Sequence, residues 1–309
     1  MLYVTTREKN DAYTAARTLA GDVGPDGGAY LPFRMPLFSQ DQLAKMGENS
    51  FGQNVADMLN LFFSCGLTAW DIDSAIGKNP VKLASVGNRI ACAQLWQNLD
   101  GSYAKLEVAL GAKVCEPAVG TLNMTSWLRI AIRIAVLFGV FAQLQPKDTI
   151  NVSVPSDDFA LPMAVWYSRC MGLPIGRIIC GCHRVGSVWE LLHLGEMKTD
   201  SNSDFNREVE RLVFSTLGRE DCKRFADITQ NQGIYKLLPA DSEKLSYGMF
   251  GAVISDERID SVIPSVYRTN AYLLSEDSAV AYSALMDYRA KTGSNRDALL
   301  LEDAAPAAL

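Results

Sequence analysis

The 309-residue sequence has only two histidines, seven cysteines without a paired spacing, no cluster of basic residues and no long apolar run free of charge. Each shortage excludes something. Its 29 Lys and Arg are scattered among 35 Asp and Glu, leaving a net charge of −6 and no basic stripe to neutralise phosphates, so no nucleic-acid partner is expected. The most apolar segment, 122–145, is interrupted by Arg129 and Arg133, and the N-terminus lacks the basic, apolar and small-residue succession of a secretory signal. Neither membrane insertion nor secretion is expected. An odd number of cysteines without a framework points to a reducing cytoplasm, where thiols act as small hydrophobes and disulfides are not expected. Cys180-Gly181-Cys182-His183 is the one cluster of soft ligands. A structural zinc site would need a second pair, so two core cysteines beside a surface histidine are preferred and no metal is assigned.

With 48% apolar residues the chain can bury one large core or two modest ones. The stretch 148–181 sets the architecture. Thr149 to Val154 is β-branched and uncharged, as a parallel strand covered on both faces should be. Pro155-Ser156-Asp157-Asp158 breaks it, Phe159 to Met171 reads as a helix with Pro162 in its first turn and Gly172 just past its end, and Arg177 to Cys180 begins the next strand. Such a turn, at the carboxyl end of a parallel strand and opening onto a helix, is where α/β sheets bind phosphorylated ligands. Here it carries two aspartates, which cap the helix amides themselves. At about 5 Å and an effective dielectric of 20, each further pair of like charges costs roughly 3 kcal/mol. A dianionic phosphate is therefore disfavoured. Arg129 and Arg133, one helical turn apart, are expected to pair with Asp157 or Asp158, while Trp96, Tyr103 and Trp127 are read as core aromatics. Residues 199–206 read as a polar surface loop.

Several strings occur in a recognisable order. YVTTR at 3–7, GPDGGAYLP at 24–32, LNMTSWLRIAIRI at 122–134, VPSDDF at 154–159, EVERLVFSTLGR at 208–219, YLLSEDSAVA at 272–281 and LLLEDAAP at 299–306 resemble motifs of the threonine synthases, a fold-type II pyridoxal-phosphate family. The resemblance implies an α/β fold with a parallel sheet flanked by helices, like the tryptophan synthase β fold. It also implies an N-terminal region over 1–90 and a core domain over 91–309. Departures from the family pattern are equally specific. The cofactor lysine belongs in a string such as FHGPTLAFKD, but residues 96–105 place Ala104 beneath it, and Lys105 reaches that place only after a one-residue insertion. The phosphate loop GNFGN is replaced by Asp157-Asp158-Phe159-Ala160-Leu161, so side chains fill a cradle that needs close backbone approach. Glu302 and Asp303 stand where the family has Ser-Thr beside the pyridine ring. Only residues 113–120 separate two helices between which the family carries a small lid domain, and eight residues cannot form a domain.

The leading expectation is a non-catalytic, threonine-synthase-like protein acting by binding, as a homodimer or beside a related enzyme subunit, with no cofactor. The degenerate phosphate-loop positions are Asn123, Ser156, Asp157 and Asp158. The rival expectation keeps pyridoxal phosphate on Lys105 in a threonine synthase or related amino-acid lyase, and a third is an amino-acid sensor without cofactor.

Overall fold

The computed structural model describes residues 1–8, 11–198 and 203–307. The N-terminal region holds β1 (Tyr3–Thr5), α1 (Ala15–Ala20), β2 (Tyr30–Pro32), α2 (Gln40–Met46), α3 (Phe51–Phe63) and α4 (Ala69–Ile76). The turn before β2 forms as its Gly-Pro-Asp-Gly-Gly string dictates. Gly27 takes φ +73°, and Asp26 Oδ1 accepts from the Gly28 amide at 3.0 Å. β1 and β2 pair antiparallel, and Tyr3 packs edge-on against Trp127.

The next elements are β3 (Lys82–Gly87), β4 (Ile90–Gln94), α5 (Tyr103–Val119), α6 (Ser126–Leu144), β5 (Ile150–Pro155), α7 (Ala160–Cys170) and β6 (Ile175–Cys182). There follow α8 (Ser187–Leu194), β7 (Glu196–Lys198), α9 (Ser203–Leu217), α10 (Arg219–Gln232), β8 (Ile234–Lys236) and α11 (Pro239–Ser246). β9 (Met249–Val253), α12 (Asp256–Asn270), α13 (Glu276–Thr292) and β10 (Ala298–Glu302) complete the described chain. The main sheet has the order β3-β4-β10-β5-β6-β9. Every neighbouring pair is parallel except the edge pair β3 and β4, an antiparallel hairpin turned by Asn88 and Arg89 at φ 49° and 60°.

Period-two alternation builds a core on each face of this sheet. Ile150, Val152, Val154, Ile178, Cys180, Cys182, Leu299 and Leu301 join the larger cluster, with α3, α6 and α7. Ile179, Ala298 and Leu300 face the other way, against α13. That helix crosses close over the strands, since a Cβ at Gly181 would meet the Val280 carbonyl oxygen at 2.8 Å. α6 has the length and composition of a membrane span, yet 78% of its most apolar window is buried inside the protein. Its apolar surface is used by the core.

Two segments differ from the sequence reading. α5 does not end at Ala112 but continues through Pro117 to Val119, so most of 113–120 is helix rather than connection. Pro117 removes the amide that would donate to the Lys113 carbonyl, and the helix ends within one turn of it. Of the polar stretch 199–206, residues 199–202 lie outside the described residues, and 203–206 open α9 instead of forming a loop.

Candidate functional site

Three parallel strands, β5, β6 and β10, end at the same edge of the sheet, and their next residues meet there. β5 runs into Ser156, Asp157 and Asp158, β6 into His183, and β10 ends in Glu302 before Asp303. Tyr103 at the start of α5, Arg133 on α6 and Asp277 in the first turn of α13 complete a cleft of about 150 Å3, walled on its apolar side by Pro155 and Leu161. The carboxyl edge of a parallel sheet is the usual ligand position in such folds.

Charge pairing sets the cleft's shape. Asp158 Oδ1 accepts from the Ala160 amide at 2.8 Å, capping α7, while its Oδ2 lies 3.1 Å from Arg133 Nη1. Arg133 Nε also pairs with Glu107 Oε1 at 2.5 Å, and both side chains are almost entirely buried. Burial opposes the charge on Arg133, but the carboxylates of Glu107 and Asp158 more than offset it and raise its pKa. Asp157 turns the other way. Its Oδ1 accepts from the His183 amide at 3.3 Å and its Oδ2 pairs with His183 Nδ1, while His183 Nε2 lies 3.5 Å from Asp277 Oδ1.

Behind these pairs, Glu302 is fully buried and takes four N–H and O–H donors besides the Cys92 thiol. Tyr272 Oη is at 2.9 Å and Trp96 Nε1 at 3.1 Å on one oxygen, with Ser278 Oγ at 3.0 Å and the Ser275 amide at 3.4 Å on the other. Asp303 is less well served. Its Oδ1 is buried without a hydrogen-bond partner. Burial, and then the charge of Asp277, push its carboxyl up to about 6.

The sequence-derived site residues divide in two. Asp157 and Asp158 line the cleft, and Ser156 adjoins it, its buried hydroxyl turned back to the Val154 carbonyl at 3.1 Å. Lys105 is exposed and is absent from the cleft lining. Asn123 is exposed in the segment that folds back along α5, its carbonyl 3.8 Å from Cys115 Sγ, and it is absent from the cleft lining. There its side chain donates to the Leu19 carbonyl at 3.0 Å. Cys180 and Cys182 are buried, and His183 beside them reaches toward carboxylates, as a surface histidine next to core cysteines should. Trp127 is core, whereas Tyr103 is both buried and part of the cleft wall. Glu107 and Asp277 went unforeseen. Glu107 had a faint signal, being the acidic residue one turn from Tyr103 on the helix face shared with Leu106 and Leu110.

A mostly parallel sheet with helices on both faces and a cleft at its carboxyl edge defines an α/β protein of the fold-type II class. The structure matches the pyridoxal-phosphate-bound threonine synthase of Brucella melitensis with a TM-score of 0.81 at 16% identity, covering 99% of this chain and 89% of that one. The yeast threonine synthase matches equally, at 0.81 and 14% identity, over 99% of this chain and 87% of that one. The family model for the threonine synthase N terminus matches residues 2–79. Over 227 residues the chain is 25% identical to threonine synthase of Pseudomonas aeruginosa, covering 69% of this chain and 46% of that protein. It is 22% identical to the Methylobacillus glycogenes enzyme, over 72% of each chain. The chain shares the fold of threonine synthases over nearly its whole length and matches their N-terminal family model over residues 2–79, and it spans about half the length of the Pseudomonas relative.

Proposed function

We propose that this chain is a family member that has given up pyridoxal-phosphate catalysis and acts by binding. The observation that carries the reading is the engagement of Asp158 with Arg133, on the turn where the resemblance places the cofactor's phosphate. The cation there already has Glu107 and Asp158 as counter-charges, and no glycine remains to admit an anion to the backbone. Lys105 stands on an exposed helix face outside the cleft, not in the desolvated setting of a Schiff-base lysine. The residues present do not fit a phosphate-bearing pyridoxal group, and no reaction step is assigned to one.

Loss of the lid domain supports the same reading. The alignment with the Methylobacillus enzyme runs over 344 positions, more than the 309 residues of this chain, so the relative carries segments that this chain lacks. Without a lid, water is not excluded from the cleft. Leu122, 42% exposed, lies beside the shortened connection, and Val108, 47% exposed, lies further back on α5. Apolar exposure of this kind marks an interaction surface, and the proposal includes a homodimer or pairing with a related enzyme subunit. All seven cysteines are free, which supports a reducing cytoplasm.

Two measurements test this reading. Mixing the purified chain with pyridoxal phosphate, reducing with borohydride and mapping adducts by mass is expected to give no stable aldimine band and no single modified lysine. One adduct confined to Lys105 would restore the enzymatic reading. Sedimentation equilibrium of the chain alone is expected to report a dimer, and a monodisperse monomer at high concentration would remove homodimerisation from the proposal.

A further inference from the structure

Four aspartates, Asp157, Asp158, Asp277 and Asp303, line the cleft, and the basic side chains facing them are engaged: Arg133 by Glu107 and Asp158, His183 by Asp157 and Asp277. An acidic rim alone is ordinary solvated charge. Two further groups point to a ligand. Tyr103, only 4% exposed, lines the cleft, and its hydroxyl makes no hydrogen bond among the described residues. Asp303 lines the same cleft, with its Oδ1 sealed beneath the surface and without a hydrogen-bond partner. A tyrosine hydroxyl without a protein partner, facing a cleft of carboxylates, calls for a ligand that supplies donors.

We propose that the cleft binds a small aliphatic ammonium compound, whose –NH3+ donates to the Asp303 carboxylate and Tyr103 Oη while a second cationic end meets Asp277 at the mouth. The inference rests on the reading that no phosphate-bearing cofactor occupies this site, and it names the ligand class for it. An anion is repelled by the aspartates. A metal ion is disfavoured because, among the described residues, no three His, Cys, Asp or Glu side chains are placed to hold one. Pro155 and Leu161 offer methylene groups an apolar wall. A cavity near 150 Å3 takes a molecule of benzene size, about six heavy atoms, which is the size of 1,4-diaminobutane. Alkyl amines resemble the Lys side chain, with a pKa near 10.4, and stay charged at pH 7.5, where Asp303 is ionised.

The test is calorimetric titration of the full chain at pH 7.5 and low salt with 1,4-diaminobutane. The isosteric 1,4-butanediol, inorganic phosphate and magnesium chloride serve as comparators. One-site binding of the diamine alone is expected. Asp303→Asn is expected to weaken it at least about tenfold and Tyr103→Phe about fivefold, as the loss of a charged and a neutral hydrogen bond implies. No saturable heat from the diamine at millimolar concentration would overturn the proposal, as would tighter magnesium binding or undiminished affinity in Asp303→Asn. If Asp303→Asn fails to fold, Tyr103→Phe decides by the same criterion. A borohydride adduct mapped to Lys105 would overturn the functional reading, whereas absent diamine binding with no such adduct defeats this inference alone.

Discussion

Glu302→Ala is expected to destabilise the protein by about 3–5 kcal/mol, more than any other single change in the cleft region. Two effects oppose each other. Removing a buried carboxylate relieves its desolvation, but it strands Tyr272 Oη, Trp96 Nε1, Ser278 Oγ and the Ser275 amide and leaves a cavity beneath the sheet edge. Each stranded donor costs about 1–3 kcal/mol, and breaking a buried charged network typically costs about 3–5 kcal/mol, so the loss dominates. Glu302→Gln keeps the shape and one acceptor oxygen, and should lose about 1–2 kcal/mol. Urea unfolding followed by tryptophan fluorescence reads both through the midpoint, with the slope unchanged. A loss below about 1 kcal/mol in Glu302→Ala would show that the donors find other partners and that this network does not hold β10 to α13.

Asp303→Asn is expected to do the opposite at neutral pH. The folded-state carboxyl titrates at about 6 against an ordinary value of 3.8. A carboxyl with a raised folded pKa binds more protons folded than unfolded in that window. Its penalty is therefore absent below pH 4, grows as pH rises and is complete above pH 6. At 1.36 kcal/mol per pH unit the full penalty approaches about 3 kcal/mol. Asparagine abolishes the ionisation, so the stability difference between variant and wild type should be near zero at pH 4 and climb toward about 3 kcal/mol at pH 7. A difference independent of pH would place Asp303 in contact with solvent or a cation. The same substitution should weaken diamine binding, so stability and binding move in opposite directions, as they do where a site is held under strain.

Much of the framework is legible in local sequence. The uncharged β-branched run read as Thr149–Val154 is β5 shifted by one residue, and the helix read as 159–171 is α7 with one residue trimmed from each end. The strand read from Arg177 extends two residues further at each end, because Ile175 and Gly176 already pair in the sheet or beside it, and Cys182 remains buried. The pairing of Arg133 with Asp158 was also readable, from an arginine on an otherwise apolar helix and an aspartate at a helix start. What periodicity could not supply were contacts set by topology. Glu107 meets Arg133 across two helices whose relative placement depends on how far α5 runs, and Pro117 hid that length. Asp277 joins His183 only because α13 crosses the sheet over Gly181. The edge hairpin of β3 and β4 escaped for a simpler reason. β3 mixes exposed and half-buried residues, and β4 is built mostly of small side chains, so neither shows clear apolar alternation.

The buried Glu107–Arg133–Asp158 group has an evolutionary consequence. Restoring glycine at position 158 leaves Arg133 still neutralised by Glu107, so the reverted loop gains no net attraction for phosphate. Removing Glu107 first leaves Arg133 with a partner that is half exposed, and it costs stability before any new function arises. Either order passes through an intermediate that is no better at holding an anion, or less stable, than its parent. On the proposed reading the pairing acts as a ratchet that keeps this turn closed to anions.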